Sequence, residues 1–125
     1  MNTVLIIKDD EVTADLIKHV LEEDGDCEVV LARNGREAMQ LTKKVSPALI
    51  ITDVYLLGKN GIAVLEDIKR DPLFTDIPAI VFTAEKEAAV VVQALEGNSD
   101  MHLPKPINLE RLKHHVKEIL SRIEV

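Results

Sequence analysis

Five times along this chain a short apolar run gives way to a longer segment whose apolar residues recur at helical spacing. Such alternation is βα repetition, and it confines the fold to the α/β class. The first run, Val4-Leu5-Ile6-Ile7, is continuous, as a strand covered on both faces should be, and Val12, Leu16, Ile17, Val20 and Leu21 then mark a helix that Gly25 stops. A second strand is predicted over 28–32. Asn34-Gly35 then turns the chain into a helix carrying Ala38, Leu41 and Val45, which Pro47 terminates. The third strand covers 48–52, and 54–61, with Gly58 and Gly61, reads as a loop before a helix bearing Ile62, Leu65 and Ile68. Asp71-Pro72 breaks that helix. A fourth strand over 77–83 and a fourth helix over 85–96 follow, the helix despite three consecutive valines. Gly97-Asn98 ends it. A short fifth strand covers 100–104, and Leu109, Leu112, Val116, Ile119, Leu120 and Ile123 mark the last helix. Right-handed βαβ crossovers give five such units a doubly wound parallel sheet with helices on both faces, whose ligands sit at the carboxyl ends of the strands. Pro104 then requires the last strand to lie at an edge, where a missing N–H costs no ladder bond.

With 125 residues, 46% of them hydrophobic, the chain has the size and apolar content of one domain and leaves no room for a second. Its formal charge of −7 opposes phosphate backbones and anionic membranes, so protein or cation partners are expected and nucleic acid is not. Cys27 is the only cysteine, which excludes an internal disulfide and a cysteine-cluster zinc site and suits a cytoplasmic setting. The longest apolar stretch, Ala88-Ala89-Val90-Val91-Val92, is far shorter than the roughly 20 residues of a membrane span.

The five carboxyl ends bring together Asp9 and Asp10, Asp53, Thr83, and Lys105 just past Pro104. Carboxylates, a hydroxyl and an ammonium at one edge suit phosphoryl chemistry. Two or three acids can hold Mg²⁺, Asp53 can attack in line, and Thr83 and Lys105 can act on the equatorial oxygens. No glycine-rich phosphate loop follows the first strand, where Lys8-Asp9-Asp10-Glu11 would repel a nucleotide, so a small nucleotide-binding enzyme is disfavoured. An aspartyl-phosphate hydrolase would need an aspartate where Tyr55 stands.

These residues resemble, over essentially the whole chain, a receiver domain of the two-component response regulators. The likeness rests on four motifs in order. They are Ile6-Ile7-Lys8-Asp9-Asp10-Glu11; Pro47-Ala48-Leu49-Ile50-Ile51-Thr52-Asp53 with the loop ending at Gly61; Ile77-Pro78-Ala79-Ile80-Val81-Phe82-Thr83-Ala84; and Pro104-Lys105-Pro106. The intervals from Asp9 to Asp53, Thr83 and Lys105 match chemotaxis-type receivers without a gap. The resemblance implies a flavodoxin-like sheet of strand order 2-1-3-4-5, with residues 1–125 as a single receiver domain that is a switch and not an enzyme. It implies that Asp53 accepts a phosphoryl group from a sensor histidine kinase or phosphotransfer protein, with Mg²⁺ held by Asp9, Asp53 and the Tyr55 carbonyl, and Asp10 as a further candidate. Lys105, after a cis bond to Pro106, would pair with the phosphoryl group, and Thr83 and His102 would form the switch. Nothing resembling an output segment follows Val125, so a stand-alone receiver is expected.

Lys8 departs from the pattern by standing where the first acid of a pair is usual. It either bridges to Asp53 or Asp9, or turns its flexible stem to solvent and leaves the metal to the acids; the stem's flexibility favours solvent. If it bridges, the chain reads alternatively as a pseudo-receiver, an interaction module whose phosphorylation is impaired. His102 stands in place of an aromatic ring, as a smaller switch coupled to pH or as an inert strand residue. Leu57 replaces a common proline, and with Gly58 loosens its loop. Glu85 occupies a position that tunes dephosphorylation in the family. Helix 85–96 has more apolar surface than one buried stripe uses, so some of it should be exposed, and the resemblance implies that with the fifth strand and fifth helix it docks a downstream target or a second copy. His114 and His115, adjacent on a helix, do not face one metal.

Overall fold

The computed structural model describes residues 2–56, 59–84 and 101–123. Strands β1 (Asn2–Ile7), β2 (Cys27–Ala32), β3 (Leu49–Asp53), β6 (Ala79–Thr83) and β7 (Met101–Pro104) form one parallel sheet in the order β2-β1-β3-β6-β7. Counted within the sheet, that is the second, first, third, fourth and fifth strand, as the flavodoxin-like order requires. Alternate side chains leave opposite faces of a strand. Leu5, Ile7, Ile50, Ala79 and Val81 accordingly pack with Ala38 of α2 (Gly35–Val45) and Val64, Leu65 and Ile68 of α3 (Gly61–Lys69). Val4, Ile6, Leu49, Ile51, Ile80 and Phe82 meet Ile17 and Leu21 of α1 (Glu11–Glu22) and Leu112, Val116 and Leu120 of α4 (Leu109–Ile123). Two apolar layers thus flank the sheet, which is why its central strands show no polar alternation.

Local chemistry sets the element ends. Asn34 caps α2 by accepting from the Glu37 N–H, and the Glu37 carboxylate reaches back to the Arg33 N–H. Gly25, at φ +74, supplies the left-handed turn after α1. β6 starts later than predicted because Pro78 has no N–H for the ladder, although its carbonyl still accepts from Ile50. β7 lies at the sheet edge, where Pro104 is tolerated. The segment read as a plain loop contains a small antiparallel ribbon, β4 (Tyr55–Leu56) with β5 (Lys59–Asn60), anchored by the buried Val54 and Leu56. Helix 85–96 with its docking surface, and Leu57, Gly58, Glu85 and Asp100, lie outside the described residues. Among the described residues no helix is long and apolar enough to cross a membrane.

Candidate functional site

Register alone assembles the site. Ile7 lies opposite Thr52, Asp53 opposite Phe82, and Thr83 opposite Pro104, so Lys8, Asp53, Thr83 and Lys105 all emerge at one edge of the sheet. Asp53 is 3% exposed and Thr83 1%. A carboxylate that deep needs an opposite charge, since an unpaired buried ion costs several kcal/mol by order of magnitude.

Two ammonium groups answer it. Lys8 Nζ donates to Asp53 Oδ2 at 2.6 Å, and the Lys8 side chain is itself 9% exposed. Lys105 Nζ stands 3.2 Å from Oδ1. That second contact is a charge pair without hydrogen-bond alignment, because Oδ1 is buried and accepts no hydrogen bond. The lysines also differ in freedom, Lys105 having a side chain 40% exposed. The solvent-directed reading of Lys8 is thereby corrected. Lys8 directly follows a buried strand, its amide continues the ladder to Ala32, and its aliphatic stem is covered while its head meets the carboxylate.

The other candidate residues are spread around this pair. Asp9 is exposed beside it. Asp10 has a different task, capping α1: its Oδ1 accepts from the Val12 and Thr13 amides at 3.1 and 3.4 Å, and its Oδ2 from the Thr13 hydroxyl at 2.5 Å. Those bonds, the Thr13 hydroxyl foremost, hold the Asp10 carboxyl below its ordinary range. Tyr55 falls in the ribbon and is 65% exposed. Thr83 accepts the Lys105 amide on its carbonyl at 2.7 Å, and the Lys105-Pro106 bond is cis, as the resemblance implied. His102 pairs with Val81 in the sheet; Met101 and Leu103 pack with the α1 and α4 layer, so its half-buried ring faces the opposite side. Its Nδ1 is buried without a hydrogen-bond partner.

Gly61 is a site residue whose reason sequence reading missed. Its amide donates to the Val54 carbonyl, and a Cβ there would lie 1.9 Å from the Asp53 carbonyl oxygen and 2.8 Å from the Thr52 hydroxyl. The first turn of α3 therefore rests directly on the backbone of Asp53. A glycine at a helix start is weak evidence by itself, and nothing else in the sequence reveals the contact.

As placed, Oδ2 of Asp53 and the Asp10 carboxylate are not open to a divalent ion. Oδ2 of Asp53 is bonded to Lys8, and both carboxylate oxygens of Asp10 are bonded within the cap. Among the described residues no three His, Cys, Asp or Glu side chains gather closely enough to hold a metal. What the arrangement offers is a recessed carboxylate with one oxygen fixed by a buried ammonium and the other beneath a movable one.

A family model described as the response regulator receiver domain matches residues 4–117. The phosphate regulon transcriptional regulatory protein PhoB of Pseudomonas aeruginosa is 34% identical over 120 residues, which cover 96% of this chain and 52% of that protein. Histidine kinase P4 of Formosa agariphila is 29% identical over 96% of this chain, but over only 9% of its own length. The chain thus spans about half of the first of these relatives and a small part of the second. In structure, a two-component response regulator from Clostridium difficile superposes with a TM-score of 0.87 at 30% identity, covering 100% of both chains. With the family model matched over most of its length, the chain belongs to the response regulator receiver domain family.

Proposed function

We propose that this chain is a phosphorylation-switched receiver in which Asp53 takes a phosphoryl group from the phosphohistidine of a sensor kinase or phosphotransfer protein. Receiver domains are signalling modules that work with histidine kinases and downstream effectors. The observation that carries the reading for this chain is the buried Asp53 carboxylate set between two ammonium groups at the carboxyl edge of the sheet. In the transfer, an Asp53 oxygen forms a bond to phosphorus as the P–N bond to the donor imidazole breaks, and that nitrogen keeps the electron pair and takes up a proton. Oδ1 is the reacting oxygen, since Oδ2 is held by Lys8. Lys105, more exposed than Lys8, moves from Oδ1 to an equatorial phosphoryl oxygen, and the Thr83 hydroxyl donates to another. His102, whose Nδ1 has no partner, follows the movement of Thr83 as the switch ring. The net charge favours a protein target, or a second copy of the chain, over nucleic acid, and a cytoplasmic setting suits such a pathway.

The bond between Lys8 and Asp53 also supports a second reading, a pseudo-receiver whose nucleophile is neutralised. Acetyl phosphate in the presence of Mg²⁺ separates the two. A mass gain of one phosphoryl group, lost in Asp53→Asn, is the expected result. No gain in the wild type would leave the interaction module as the function.

A further inference from the structure

Lys8 is a buried cation fixed on the carboxylate where phosphoryl chemistry needs positive charge. Its head is 2.6 Å from Oδ2, and its side chain, at 9% exposure, has little room to leave. Asp53 contributes one negative charge, and Lys8 and Lys105 two positive ones. A divalent ion brought to the same oxygen would have to displace an ammonium or stand beside it, and either is opposed at low dielectric. The ammonium already supplies what such an ion would: it holds Oδ2 in place, offsets charge on the incoming group, and leaves Oδ1 for attack.

We infer that Lys8 is the resident cation of this receiver, standing in for a divalent metal, so that Asp53 accepts a phosphoryl group with no metal bound. The inference rests on Asp53 being the acceptor. With acetyl phosphate as donor the step balances without a proton: the Oδ1–P bond forms, the P–O bond to the acyl group breaks, and acetate leaves with the electron pair. Lys105 retreats over its exposed path to meet the phosphoryl oxygens, and Lys8 stays on Oδ2.

The experiment follows the intact mass of the wild type, Lys8→Met and Lys8→Asp with acetyl phosphate, in Mg²⁺ or in excess chelator. A parallel calorimetric titration with Mn²⁺ alone needs no phosphorylation. Equal labelling of the wild type with and without chelator is expected, with Lys8→Met labelled only in Mg²⁺. Mn²⁺ should bind the wild type about tenfold or more weaker than Lys8→Asp, where an acid replaces the cation. Wild type labelled only in Mg²⁺ overturns the inference while leaving Asp53 as acceptor. So does a wild type that stays unlabelled in both conditions while Lys8→Asp is labelled, since Lys8 would then obstruct. If no form is labelled, the acceptor reading itself falls and takes the inference with it; equal Mn²⁺ affinity in wild type and Lys8→Asp overturns the replacement by Lys8 alone, whatever the labelling.

Discussion

The contact between Gly61 and the Asp53 carbonyl couples packing to chemistry at one residue. Gly61→Ala forces a backbone shift at the strand end, because the atom it strikes is main chain and cannot rotate away. Overpacking of this kind costs about 1–3 kcal/mol, so the urea midpoint should fall, and labelling of Asp53 should slow because its backbone is what moves. An unchanged midpoint with normal labelling would show that α3 yields instead. Glu22 shows a different single-residue effect. The Val29 amide donates to its Oε2 at 2.8 Å, and this bond, ahead of that from Lys18, holds its carboxyl below the ordinary 4.5. A carboxyl lowered in the folded state adds stability that is present above its ordinary pKa and is lost as pH falls through the folded value. The stability gap between wild type and Glu22→Gln should therefore narrow as pH drops below 4.5, as read by urea unfolding across an acid series.

At the scale of elements, helix caps carry testable weight. Asn34→Ala removes the acceptor of the Glu37 amide and should cost about 1 kcal/mol of unfolding free energy. Asp10→Ala should lower the thermal midpoint in the same direction while leaving Mn²⁺ affinity unchanged, since its carboxylate serves the start of α1. A loss of metal affinity would return Asp10 to the ion. This pair shows what the sequence made legible. Apolar runs and helical spacing located the strands and the described helices within a few residues, because burial on both sheet faces leaves a pattern that composition cannot imitate. Asp53, Thr83 and Lys105 were legible for the same reason: register carries strand ends to a common edge. The cap at Asp10 had its own signal, an aspartate just before a helical run, which competes with its reading as an acid of the site. Lys8 had none. Its position was plain, but whether a long side chain turns to solvent or to a carboxylate depends on space that only the folded packing defines. The short β4–β5 ribbon was hidden by turn-forming residues, although Val54 and Leu56 anchor it.

At the scale of the whole molecule, the buried apolar side chains of the described residues form two layers beside the sheet. Phe82 is fully buried among the α1 and α4 contacts, and Phe82→Ala should cost about 3–5 kcal/mol, whereas Leu73→Ala, at a position 83% exposed, should stay within about 0.5 kcal/mol. Chemical denaturation of the two variants gives the comparison directly. The carboxylate of Asp53 has a consequence at this scale too. Its two oxygens meet lysines close to opposite ends of the chain, one following β1 and one following β7. It is therefore a tether between the first and last strands. The amides of the same lysines close hydrogen bonds to Ala32 and Thr83, at 2.9 and 2.7 Å. Cutting the tether with Asp53→Asn should let both strand ends loosen together, so these two amides, distant in sequence, would lose hydrogen-exchange protection in step.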